Sequence, residues 1–195
     1  MANKDAAFGF RPIGKVGQNK DNQGLSEYNI AANSSAIYQN DTVQFLATGY
    51  VGVADTTTAV LLGSLNGVFY TDTADQKPRW ANHLAASNAA TDIVGFVSDD
   101  PYERFEVQSS TTLAIADIGK NADIVYAAGA SPNFVSNVEI DSNTANVTTA
   151  SKQFRILGVA KDIENSELSN VTTYAANVNV VGIINEHFLK STTGI

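Results

Sequence analysis

His83 and His187 are the chain's only imidazoles, and cysteine is absent. A zinc site needs three or four nitrogen, sulfur or carboxylate ligands. Neither histidine stands in an HxH or HExxH arrangement, so each reads as a surface or core-edge residue. Without cysteine there is no disulfide framework, no thiolate metal site and no cysteine nucleophile. Asp72 and Asp75, with Asp55, offer hard oxygen donors of the kind calcium takes in a loop. Their spacing lacks the Asp-x-Asp-x-Asp-Gly pattern, and a solvated turn is the better account. Asp99 and Asp100 are adjacent, so in extended backbone their carboxyl groups point apart. They cannot face each other across a glycosidic bond and read instead as the turn before Pro101. No Gly-x-Ser-x-Gly elbow, Walker motif or Gly-x-Gly-x-x-Gly turn is present. The sequence therefore assigns no catalytic, cofactor-binding or metal-ligating residue, and a non-enzymatic protein without cofactors is expected.

Two groups of residues suit recognition better than catalysis. Lys77-Pro78-Arg79-Trp80 sets the single tryptophan beside two cations and a proline. Trp and Arg are enriched at binding hot spots, so Arg79 and Trp80 are candidate interface residues; a Trp buried at a strand end is the equal alternative. The second group is Phe8, Phe10, Arg11 and Ile13, in a stretch that Gly and Pro punctuate too often for a helix. These residues are too apolar for a disordered tail. Residues 1–24 are therefore expected to form an irregular N-terminal arm docking on a neighbouring subunit, with packing back on its own domain as the alternative. Residues 25–195 read as a single β-rich domain.

The elements that must position these groups are short strands. Val43 and Phe45 alternate with polar residues after a turn at Asn40-Asp41, and residues 49–54 read as a further strand. In residues 60–70, Asn66-Gly67 offers a turn that tolerates positive φ. Residues 93–98 and 105–110 are strand-like around a turn at 99–102. Residues 154–161 and 177–185 are the strongest strands near the end of the chain. Only 111–125 suggests a short helix, with Gly119 as its stop; 168–174 reads as a loop or strand entry. The expected fold is mainly β: an antiparallel β-sandwich, jelly-roll or barrel-like domain with at most one or two short helices.

Composition narrows the partners. Only 16% of the residues are charged against 44% hydrophobic, below the roughly 25% charged usual for soluble domains. Such a surface relies on Ser, Thr, Asn and Gln for solvation, or is partly covered by partners. The net charge is −8, and the twelve basic residues are thinly spread, so direct contact with nucleic acid is not expected. No apolar run reaches the ~18 residues of a membrane span, and the opening residues lack a signal-peptide core. A protein made in the cytoplasm, and used there or released by lysis, is the expectation.

The opening Ala6-Ala7-Phe8-Gly9-Phe10-Arg11-Pro12-Ile13-Gly14 resembles the start of small capsid-associated proteins of tailed bacteriophages. Later blocks fit the same pattern: residues 37–43, 65–72, Pro78-Arg79-Trp80, 97–108, 154–159 and 180–187. The likeness spreads along nearly the whole chain, to a type of head protein, the capsid decoration or cement proteins. It implies attachment to the outside of an expanded capsid, clamping neighbouring capsomers. The implied partners are the major capsid protein and further copies of the chain, as a homotrimer at three-fold positions. The implied location is the virion exterior, after synthesis in the host bacterial cytoplasm. Two rival expectations stand beside it: a tail-tube or head-completion protein, and a carbohydrate-binding β-sandwich module.

Overall fold

Burial with a period of two runs through the strongest strands, as a pleated strand with one face on a core requires. In β16 (Asn179–Ile184) the buried residues are Val180, Gly182 and Ile184. In β13 (Phe154–Val159) they are Phe154 and Ile156, and in β8 (Glu103–Gln108) Phe105 and Val107 lie on the same face. These strands are the centre of an antiparallel five-stranded sheet. Its edges are β1 (Arg11–Lys15), on β8, and β10 (Asn121–Ala122), on β13. The computed structural model describes residues 3–17, 24–143, 145–161 and 168–191.

A second, six-stranded sheet has the order β2 (Ser26–Asn29), β7 (Val94–Ser98), β5 (Gly63–Thr71), β3 (Thr42–Phe45), β4 (Val51–Val53). The long β5 pairs with β3 through its first residues and with β6 (Pro78–Ala81) through its last. Smaller pairings complete the fold. β9 (Leu113–Ala114) joins the hairpin of β14 (Leu168–Asn170) and β15 (Thr173–Tyr174), and β11 (Ile124–Val125) pairs with β12 (Glu139–Ile140). The architecture is thus mainly β, built from antiparallel sheets and consistent with a β-sandwich.

Two local expectations change. The helix anticipated over 111–125 is a single 3-10 turn, Ile115–Asp117, between short strands. The backbone there gains more from pairing with β15 and β13 than the few residues before Gly119 could gain as a helix. Asn66-Gly67 is not a turn: it lies inside β5, where a register shift between Leu65 and Gly67 absorbs the extra residue as a bulge. Residues 168–174, left open as a loop or strand entry, resolve as a two-stranded hairpin.

Each large sheet carries its own core. Phe10, Phe105, Phe154, Ile156 and Val180 belong to one; Ile30, Val43, Leu62, Leu65 and Val97 belong to the other. Leu61 and Leu62 point into different cores although they are neighbours in the chain. Around them the backbone is tied both ways. The Leu61 N–H donates to Glu186 O at 3.0 Å, and the Phe188 N–H donates to Leu61 O at 2.8 Å. The Leu62 N–H donates to Val43 O at 2.7 Å.

Phe10 makes the second tie. Its ring lies 5.7 Å from that of Phe105 and 5.1 Å from that of Phe154. Its backbone is held by the other sheet's strands and turns: its N–H donates to Asn40 O at 2.9 Å, and the Ser64 hydroxyl donates to its carbonyl at 2.7 Å. The described part of the N-terminal arm therefore packs on the chain's own body. This corrects the reading of Phe10 as an interface residue, because its side chain is completely buried in the core. Truncating a buried Phe typically costs about 3–5 kcal/mol. Phe10→Ala should lower the urea-unfolding free energy by about that much, and Phe8→Ala by far less. Equal, small losses from both would show that the arm is not seated in this core.

Candidate interaction surface

The hairpin from β5 into β6 brings exposed aromatic side chains to the surface. Its turn is made by aspartates whose side chains accept from backbone N–H groups two residues on: Asp72 from Ala74 at 2.8 Å, Asp75 from Lys77 at 3.2 Å. Both carboxylates also hold Arg79, Asp72 at 2.6 Å and Asp75 at 3.0 Å. Asp72 and Asp75, weighed with Asp55 as calcium ligands, are thus spent on a turn and a guanidinium. No group of three or more His, Cys, Asp or Glu is arranged to hold a metal ion among the described residues.

The hairpin pairs Trp80 with Phe69 across the strands. Partners across an antiparallel pair share a face, so both rings stand on the outer side of the sheet. Trp80 is 57% exposed and Phe69 41% exposed. Trp80 leans diagonally over Gly67 and meets the ring of Phe96 on β7 at 4.6 Å. Gly67 is the seat of this arrangement, because a Cβ there would lie 3.0 Å from the indole and 2.9 Å from Ala81 O. The result is a ledge of three aromatic rings, Trp80 and Phe69 exposed and Phe96 half-buried. Trp80 is therefore exposed, and the alternative of a Trp buried at a strand end does not hold. Phe69 and Phe96 escaped notice in the sequence; pairing residues 68–71 with 78–81 across the acidic turn would have placed Phe69 opposite Trp80.

The remaining candidates lie elsewhere, on β1 and the segment before it. The Arg11 guanidinium sits 4.7 Å above the Phe8 ring and pairs with Glu106 at 2.7 Å. Phe8 is half-buried, and Ile13 is exposed on the edge strand. The structure does not join this group to the ledge: one stands on the five-stranded sheet, the other on the six-stranded sheet.

Beneath the arm's seat lies Asp41, fully buried. Its Oδ2 accepts from the Tyr38 N–H at 2.7 Å, and its Oδ1 is sealed from solvent outside good hydrogen-bonding geometry. Burial pushes its pKa from 3.8 up to about 6, with the Ser136 hydroxyl and the Tyr38 amide pulling the other way. His187, also buried, caps the 3-10 turn Phe188–Lys190 by accepting from the Leu189 N–H at 3.1 Å. Burial, then Lys190, depress its pKa to about 4, against the opposing pull of Asp99 and Asp100. The folded state holds this imidazole neutral. His83 is half-buried and stacked against Phe134 at 4.0 Å, and Asp99 and Asp100 serve separate partners: Asp99 accepts from Ser26 and Tyr28, and Asp100 from the Tyr102 N–H.

The chain matches no protein-family model, no curated protein and no solved structure. Fold and surface together define a mainly β protein whose conspicuous surface feature is an aromatic ledge.

Two outcomes follow from this geometry. Folding favours protonated Asp41, so its contribution to stability falls as pH rises from about 4 to about 6 and stays low above that. Asp41→Asn keeps the acceptor for Tyr38 without the buried charge. Its melting temperature should exceed the wild-type value by several degrees above pH 6, corresponding to roughly 2–3 kcal/mol. The gap should close towards pH 4, where His187 still lowers the stability of both proteins; a gap independent of pH would contradict the buried charge. Separately, Gly67→Ala should unseat Trp80, read as increased acrylamide quenching of the single tryptophan's fluorescence. Unchanged quenching would show that the indole does not rest on Gly67.

Proposed function

We propose that this chain is a virion structural protein, a decoration protein that binds the outer surface of an expanded phage capsid and stabilises it by clamping neighbouring capsomers. The observation that carries the reading is the ledge of Trp80, Phe69 and Phe96. Large exposed rings have the make-up of an interface anchor, and contiguous apolar patches mark interaction sites. The resemblance of the opening residues and later blocks to capsid-associated proteins supplies the partner, the major capsid protein. The low charge of the chain suits a surface partly covered in an assembly.

The role asks little of any single contact. Many copies bound to a closed shell stabilise it by mass action, and simultaneous contact with several subunits adds avidity to modest interfaces. In this reading the protein is a homotrimer and the ledge faces the shell. Phe10 has no direct part in binding, since its side chain is committed to the core.

Light scattering across a tenfold concentration range should give a trimer mass, and the protein should co-sediment with expanded shells. Trp80→Ala should weaken co-sedimentation at least tenfold while leaving the trimer mass and the melting temperature unchanged. A hexameric ring would favour a tail or connector protein. Undiminished co-sedimentation of the Trp80 variant would remove the ledge from the interface.

A further inference from the structure

A concave site of about 380 Å³ opens beside the arm, lined by Arg11, Pro12, Leu25, Gln39, Asn40, Asn66 and Ser98. That size is at the lower end of the roughly 300–1,000 Å³ of small-molecule sites. The lining gathers polar side chains from separate parts of the fold: the turn before β3, the bulge of β5 and the end of β7. Much of their hydrogen-bonding capacity is unspent. Ser98 is only 3% exposed and brings a hydroxyl to the border of the pocket. Asn66, half-buried in the bulge of β5, adds a side-chain amide. Gln39 uses only its carbonyl, as a long acceptor from Asn82 at 3.4 Å, and Asn40 only its NH₂, donated to Phe8 O at 3.0 Å. A hydroxyl and side-chain amides offer donors and acceptors side by side, while Pro12 and Leu25 supply an apolar wall.

The charges and the backbone select among ligands. Among the described residues of the lining Arg11 is the one that carries a charge, and Glu106 already neutralises it at 2.7 Å. The neighbouring Asp99 is committed to Ser26 and Tyr28. An anion would find no uncompensated positive charge there, on a protein of net charge −8. An extended peptide adding to the β1 edge would meet Pro12, which has no N–H to offer, and the register shift between Pro12 and Gly14. What remains is a compact, neutral ligand rich in hydroxyls. We infer that this pocket is a binding site for a neutral sugar of mono- or disaccharide size, its hydroxyls held by Gln39, Asn40, Asn66 and Ser98 and its C–H face laid on Pro12 and Leu25.

The test uses the isotopically labelled full chain, free of shells, so its result is independent of capsid attachment. Glucose, galactose, mannose, N-acetylglucosamine, maltose and cellobiose are titrated to millimolar concentrations while the side-chain NH₂ signals of Gln39 and Asn66 are followed. At least one sugar should shift both signals, with a millimolar or tighter Kd. Asn66→Ala and Ser98→Ala should each weaken that binding about tenfold and leave the backbone signals of the second core in place. Three results would overturn the assignment: no shift with any of the sugars, a shift that survives both substitutions, or equal shifts with inorganic phosphate, which would make Arg11 an anion site.

Discussion

The ring of Phe10 and its own backbone answer to different sheets. The ring fills the core of the five-stranded sheet against Phe105 and Phe154, while Asn40 and Ser64, beside and within the six-stranded sheet, hold the peptide groups on either side of it. A side chain can be pinned this way only if the backbone comes close, and Gly9 makes that approach possible. It has a positive φ of 71°, and a Cβ there would collide with Asn40 O and the Ser136 side chain. Phe10 in turn fixes where β1 starts, and so where Arg11 and Pro12 meet the turn at Asn40. The pocket between them exists because the arm is docked.

The ledge obeys a similar rule on the opposite kind of surface. Three aromatic rings would ordinarily be drawn inward by the roughly 25 cal/mol per Å² gained on burial. Here the strand alternation points them outward, because the inner face of the same strands is taken by Val68, Val97 and Leu65. A small residue beneath the indole and the Phe96 ring against it hold the indole in a defined arrangement rather than a loose one. Order of this kind reduces the entropy lost when a partner covers a surface.

The strands with clean alternation, β8, β13 and β16, could be read directly because each has one face on a core and one towards solvent. Asn66-Gly67 misled, since the dipeptide that favours a turn was placed in a long strand by pairing on both sides. The glycine there answers a packing demand from Trp80, twelve and more residues further on, which no local window reveals. The helix anticipated at 111–125 failed for a related reason: partners distant in sequence outweighed weak local preference. Phe8, Phe10, Arg11 and Ile13 were correctly singled out as unusual for a tail, but the holes that could receive a ring come from Phe105 and Phe154, far along the chain. Arg79 and Trp80 were visible from their types alone. The pocket was not visible at all, because its lining is assembled from five separated segments and contains no motif.

Leu61 and Leu62 carry one more consequence. One peptide bond separates side chains that belong to two hydrophobic cores, and the backbone on either side is hydrogen-bonded to both bodies. Neither core can loosen locally without dragging a neighbouring residue out of the other. Subglobal opening, which in many proteins lets one part exchange its amide protons while the rest stays shut, is suppressed at this joint. Opening either core at this joint therefore breaks backbone hydrogen bonds that tie it to the other.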